Sequence, residues 1–433
     1  MPETKAIPSA LRTLTPDGRL LFATRFLRLF AYGSLSVILV FYLVSLGLTE
    51  SQTGLLLTLI LAGDVVVSLL LTTWADRIGR RRMLIVGSIL MAGAGLVFAL
   101  TRNFFFLVVA GTIGVISPSG NEVGPFLSIE QAALSHVVTP ASRTAVFAWY
   151  TLAGSFATAI GALAGGALTE ALQNGHLSAV NSYRSVVAGY AAVGILLALL
   201  FLRLSSAAEV RDGGERSVRD LKTFFGVSRS HRVVLKLAAL FALDSFSGGF
   251  VIQSFAAYWF YLRFGTTPAT LGGIFFSANL FAGISALLAS GLASRIGLVK
   301  TMVYTHLPSN ILLILVPLMP TLPLAIAVLL LRFSISQMDV PTRQSYTMAV
   351  VSPEERSAAA GITGVARTTG AAISPLFAGF LFARPSLINV PFFLAGALKI
   401  VYDILLYRAF VQVTPPEENV NVTFRSASGK SKT

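Results

Sequence analysis

The sequence predicts an all-α integral membrane protein with twelve transmembrane helices in two six-helix bundles and both termini cytoplasmic. Three observations predict it. The 433 residues are 55% hydrophobic and 12% charged, with mean hydropathy +0.76, which leaves too little charge to cover the surfaces of soluble domains. Apolar runs of about 20 residues, long enough to cross a bilayer as a helix, recur from end to end. Residues 130–168 repeat, at an offset of 213 and without a gap, as residues 343–381.

The apolar runs fall at about 21–48, 53–73, 83–101, 104–138, 142–171, 184–204, 236–262, 268–292, 301–319, 321–351, 354–383 and 389–411. Helices satisfy the backbone where lipid offers no hydrogen-bond partner. An even count of spans puts both ends of the chain on one side. The first twenty residues are polar and basic, without the short apolar core of a cleavable leader, so the first span is read as the insertion signal.

Charge fixes the orientation. Of 33 Lys and Arg, 23 lie in the segments on the side of the termini, four in the opposite loops (Arg102, Arg184, Arg263, Arg384) and six within spans. By the positive-inside rule the termini are cytoplasmic. The same bias accounts for the net charge of +14 without nucleic acid as a partner. The predicted domains are a cytoplasmic tail (1–20), an amino-terminal bundle (21–204), a polar central loop (205–235), a carboxy-terminal bundle (236–411) and a second tail (412–433).

The repeat relates the bundles. Twelve of 39 aligned positions are identical, among them Gln131/Gln344, Pro140/Pro353, Arg143/Arg356 and Gly166/Gly379. "DRIG" at 76–79 is echoed by "SRIG" at 294–297. A six-helix unit repeated in parallel is a transporter architecture, with the substrate site between the halves near the midplane.

The segment "DRIGRR" after the second span resembles the loop signature of the major facilitator superfamily, roughly G-x-x-x-D-R-x-G-R-R. Asp76, Arg77, Gly79, Arg80 and Arg81 match, and Thr72 replaces the leading glycine. "TPASRT" (139–144) and "SPEERS" (352–357) match the Pro and Arg of that family's P-x-x-R-G. The resemblance implies that the 76–81 loop is an inner-gate latch between the halves. The acid that usually partners it is replaced by Val137, with Val350 in the second half, and Glu130 stands about two turns away. The drug–proton antiporter branch carries G-P-x-x-G-G in span five. Here "GALAGG" (161–166) lacks the proline and "SPLFAG" (374–379) has it; close helix packing by small residues explains both equally well.

Twelve charged residues lie inside spans: Asp64, Glu122, Glu130, Asp244, Asp339 and Asp403 against Arg25, Arg28, Arg332, Arg343, Arg367 and Lys399. Each is costly in a bilayer, so each requires a partner or a function. In span ten, Arg332, Ser336, Asp339 and Arg343 recur at i, i+4, i+7 and i+11 and form one polar stripe, with Pro341 set to kink the helix. Two arginines share one aspartate there, which leaves a charge for substrate. Asp244 in span seven has no basic residue three or four places away. It is the first choice for proton coupling, with an ion pair to another helix as the alternative. "SPSGNEVGPFLSIEQ" in span four argues against a regular helix, and Asn121, Glu122 and Glu130 are candidate ligands. Lys399 and Asp403, four apart, are expected to satisfy each other, and Arg25 and Arg28 to reach towards the inner interface.

No cysteine is present, the four histidines have no metal-ligand spacing, and nothing resembles a nucleotide-binding loop. The reading is therefore neither an enzyme nor a cofactor or metal protein. It is a monomeric, multi-pass secondary transporter of the cell (plasma) membrane, moving a small organic solute by alternating access, with proton-coupled efflux by antiport as the favoured drive. The alternatives are an organic-anion carrier or uptake transporter using Arg332 and Arg343, and a non-transporting membrane sensor.

Overall fold

The computed structural model describes residues 14–122, 124–138, 143–205, 209, 229–352 and 355–413. Among the described residues the chain is helical: α1 Pro16–Ser45, α2 Glu50–Ile78, α3 Arg80–Leu100, α4 Phe104–Ile113, α5 Phe126–Val137, α6 Arg143–Asn174, α7 Ala179–Phe201, α8 His231–Gly249, α9 Gln253–Phe264, α10 Pro268–Ile296, α11 Leu298–Leu315, α12 Leu322–Ser336, α13 Asp339–Ala349, α14 Arg356–Phe382 and α15 Val390–Phe410. Among the described residues, eleven segments are long and apolar enough to cross a membrane. The chain is thus a multi-pass membrane protein. The predicted fourth span differs from the rest: it is two short helices, α4 and α5, joined by an irregular stretch.

Each interruption has a cause in the sequence. Between α4 and α5, Gly120 and Gly124 adopt positive φ, +72° and +78°, which side-chain-bearing residues rarely take. The freed backbone is satisfied by neighbours: Asp64 accepts from the Gly124 amide at 2.5 Å, Thr158 donates to the Gly120 carbonyl at 3.2 Å, and the Tyr190 hydroxyl donates to the Val115 carbonyl. The predicted tenth span breaks between α12 and α13, at Gln337 and Met338. Pro341 has no N–H to offer the Gln337 carbonyl four residues back, so the break falls where the kink was expected. The predicted seventh span breaks between Gly249 and Gln253, just after Gly248–Gly249.

The chain divides into two compact units. Unit 1 holds the described residues of 1–214 together with 251–280 and 375–388. Its helices pack where side chains are small. A Cβ on Gly33 of α1 would run into the Thr158 backbone of α6, and one on Gly161 of α6 into the Phe30 backbone of α1. Ser34 also donates to the Gly161 carbonyl at 2.9 Å. Gly95 and Gly194 do the same service between α3 and α7, each against an alanine of the other helix.

Two further glycine contacts in unit 1 are related by the repeat. Gly166 of α6 abuts Gly272 and the Pro268 carbonyl of α10; its equivalent, Gly379 of α14, abuts Gly54 and the Glu50 carbonyl of α2. Residues 268 and 272 follow 50 and 54 at one common offset, so the same junction occurs twice. The small residues of "GALAGG" and "SPLFAG" therefore do pack helices closely.

Unit 2 holds the described residues of 215–250, 281–374 and 389–433. α11 packs on α12, α13 and α15, and α15 packs on α8. Its apolar core includes Leu237, Phe241, Met302, Tyr346, Tyr402 and Leu406. Gly297 between α10 and α11 has φ +88°, and Gly79 between α2 and α3 has φ +111°. The "DRIG" and "SRIG" glycines thus serve the same turn.

Candidate functional site

The polar residues of α1 and α5 meet inside unit 1. Glu130 is fully buried and lies against Arg28, which is also fully buried. Arg28 donates to both carboxylate oxygens, at 2.6 and 2.8 Å. Thr24 donates to Glu130 at 3.3 Å, and Tyr150 of α6 adds a further hydroxyl bond. Glu122, in the broken stretch, pairs with Arg25 at 2.7 Å and Arg28 at 3.3 Å. The guanidiniums lie over aromatic rings: Arg25 4.3 Å from the Tyr150 centroid and Arg28 4.5 Å from that of Phe126. The two arginines therefore do not reach for an interface. They are locked in a neutral quartet with the two glutamates, as the cost of an unpaired intramembrane charge requires. Asn121 is exposed and makes no bond to this quartet among the described residues.

Unit 2 has a denser cluster around Asp244 of α8, which is buried. Asp244 is not the isolated acid that its own helix suggests. Its Oδ2 accepts from Arg343 of α13 at 2.9 Å, and its Oδ1 from Lys399 of α15 at 2.5 Å. Arg343 also lies 3.4 Å from Asp339 of its own helix. Lys399 thus spends its bond on Asp244 rather than Asp403. Asp403 is instead held by His306 Nδ1 at 2.8 Å and Asn310 Nδ2 at 2.8 Å, both from α11. His306 Nε2 stands 3.8 Å from Asp244, so the imidazole spans the two aspartates. Spacing along the chain does not reveal this role, because the two aspartates lie 97 and 62 residues from His306.

Arg332 of α12 lies at the other end of the polar stripe. Its guanidinium is 4.9 Å from the Phe333 ring, and its buried Nε has no hydrogen-bond partner. Among the described residues neither Arg332 nor Arg367 forms an ion pair.

The two units carry one design with signs exchanged. Glu130 and Arg343 are repeat equivalents. In unit 1 the acid on α5 meets a base on the first helix of its half; in unit 2 the base on α13 meets an acid on the first helix of its half.

In the 76–81 loop, Asp76 and Arg77 lie in the last turn of α2, and their side chains lie outside the described residues, as do those of Val137 and Arg143. Gly79 makes the turn. Glu209 then accepts from the Arg80 and Arg81 amides, at 2.7 and 3.0 Å, and caps α3. Glu355, from "SPEERS", accepts from the Arg229 and Ser230 amides at 2.8 and 3.0 Å, at the start of α8.

Comparison with known proteins bears on this arrangement. A model of the Major Facilitator Superfamily matches residues 21–338 and 237–432. The chain belongs to the major facilitator superfamily. It is 32% identical over 424 residues to the uncharacterized membrane protein YJR124C of Saccharomyces cerevisiae, covering 92% of this chain and 94% of that one. It is 32% identical over 97 residues to the quinolone resistance protein NorA of Staphylococcus aureus, 22% of this chain and 25% of that one. Among solved folds, a bacterial homolog of the human lysosomal transporter Spinster, inward-facing and unoccupied, has TM-score 0.69 at 16% identity, covering 94% and 96% of the two chains. A D-xylose–proton symporter has TM-score 0.70 at 15% identity, covering 92% and 98%. Membership of this superfamily supports secondary transport as the function class, and the membrane as the place where it acts.

Proposed function

We propose that this superfamily member is a proton-coupled secondary transporter that exports a small organic solute across the plasma membrane by alternating access, as a monomer with its termini in the cytoplasm. The observation that carries the reading is Asp244. It is buried, yet it is shared by Lys399, Arg343 and the flank of His306. An acid with several exchangeable cationic partners can give one up when a proton or a substrate charge arrives, which is the property a coupling site needs. The Arg28–Glu130 quartet serves as the counterpart in the other half, with Glu122 and Asn121 nearest the break. Export draws support from the partial match to NorA, whose name records quinolone resistance.

One observation favours a second reading. Arg332 has no ion-pair partner among the described residues, and an unpaired guanidinium is suited to a carboxylate or phosphate on the substrate. On that reading the solute is an organic anion bound by Arg332, with Arg343 held back by its aspartates.

The test uses proteoliposomes loaded with a pH-sensitive dye and pooled small organic solutes. The proposal expects solute-dependent proton movement, and an imposed proton gradient to drive the same solute the other way. Solute movement indifferent to the proton gradient would leave a uniporter or an anion carrier in its place.

A further inference from the structure

The imidazole of His306 faces more than one acid. It lies between two buried carboxylates on different helices. Nδ1 is 2.8 Å from Asp403 Oδ1 on α15, and Nε2 is 3.8 Å from Asp244 Oδ1 on α8. Asn310, one turn along α11, donates to the other oxygen of Asp403 at 2.8 Å. Asn310 Nδ2 also stands 3.1 Å from Nδ1. In the tautomer with the proton on Nδ1, the ring and the Asn310 amide each donate to one oxygen of Asp403, which is then satisfied as a carboxylate. Nε2 is then left with a lone pair turned towards Asp244.

Counting charge along the contacts gives a reason for that lone pair. The chain of contacts holds three carboxylates, Asp339, Asp244 and Asp403, and two fixed cations, Arg343 and Lys399. Along these direct contacts it is one positive charge short, while Arg332 and Arg367 act on Asp244 and Asp339 from beyond ion-pair distance. A proton on Nε2 supplies the missing charge and turns an acceptor into a donor facing Asp244. Tyr402 of α15 presents its ring edge-on at 5.8 Å, and Arg332 of α12 and Arg367 of α14 form no ion pair among the described residues.

We propose that His306, held by Asp403 and Asn310, is the proton-accepting site of unit 2, and that its loading competes with Lys399 for Asp244. This rests on the proton-coupled reading above and assigns its proton to a histidine on α11. A proton entering from the aqueous side bonds to Nε2 and leaves by the same nitrogen, so no other bond changes. When it is present, Asp244 Oδ1 faces two cations, and Lys399 is the one on a flexible stem. Lys399 then swings free, and the α8–α15 contact it makes is released. Proton binding on α11 is thereby turned into a change on α8, the first helix of its half.

The test is ¹⁵N-histidine NMR of the full-length protein in phosphatidylcholine nanodiscs, with His306→Gln to identify one signal among the four histidines. The proposal expects the His306 signal to take the imidazolium form at the acid end of the pH range sampled and the neutral form at the alkaline end. It also expects Asp403→Asn to change the balance between the two forms at a given pH. A His306 signal that keeps one form across the range, or that ignores Asp403→Asn, overturns it. In proteoliposomes His306→Gln should lower the proton signal per solute moved at least tenfold. An unchanged proton signal in His306→Gln overturns the proposal and leaves proton-coupled transport standing. Conversely, titration of His306 that responds to Asp403→Asn, in a wild-type protein that moves no protons with any solute, supports the proton site and removes the coupling reading.

Discussion

Arg28 grips Glu130 through both terminal guanidinium nitrogens, at 2.6 and 2.8 Å, with neither side chain exposed. Such a pair is costly to bury but much more costly to break, since removing one partner strands the other charge at about 3–5 kcal/mol. Arg28→Met alone is therefore expected to lower stability by about that amount, measured by thermal unfolding in detergent. Arg28→Met with Glu130→Leu should recover most of the loss. A double variant no better than the single one would show that the pair itself is not what Arg28 contributes.

The mirrored pair in unit 2 gives a different expectation for two arginines eleven residues apart. Arg343 holds Asp244 and Asp339, so Arg343→Gln should destabilise by about 2–5 kcal/mol. Arg332 holds no carboxylate among the described residues, so Arg332→Gln should change stability by less than about 1 kcal/mol. If Arg332 meets the substrate, the same variant should lose transport of anionic solutes and spare neutral ones. Comparing the melting of the two purified variants, and then their uptake, separates the roles.

The glycine junction between α2 and α14 leaves no room for a side chain. Gly379→Val, placed against the Glu50 carbonyl and Gly54, should destabilise by about 1–3 kcal/mol through overpacking. Gly93→Ala, where a Cβ meets nothing within 4 Å, should be neutral or slightly stabilising. Melting temperatures of the two variants check this directly.

Glu209 supplies the cap that α3 lacks from its own sequence. Glu209→Ala should cost about 0.5–2 kcal/mol. The loss should be local, with faster hydrogen exchange at the Arg80–Met83 amides and little change in α7. Uniformly faster exchange would argue that Glu209 supports more than this turn.

Much of this was readable in the sequence because membrane spans, loop charge and the glycine turns are local signals. The break before Pro341, the irregular stretch around Gly120 and Gly124, and the paired "DRIG" and "SRIG" turns are each written within ten residues. The site was legible as a set of residues and not as a set of bonds. Asp244 looks isolated because helical spacing reveals only partners three or four places away, whereas Arg343 and Lys399 lie on other helices. Lys399 and Asp403 have ideal spacing for each other, yet both face richer partners across α8 and α11. His306 has no metal-ligand spacing and no acid three or four places away, and Glu209 sits in a polar loop whose composition gives no hint that it caps α3.

The central claim is that Asp244 couples proton movement to transport, and Asp244→Asn tests it most directly. Both proteins would be placed in proteoliposomes with the solute identified for wild type, and two rates measured: solute counterflow at equal pH, and proton movement during net transport. The amide keeps the shape of the acid and removes its charge. The account predicts that counterflow persists while proton movement falls at least tenfold. Proton movement at the wild-type ratio to solute in Asp244→Asn would contradict it.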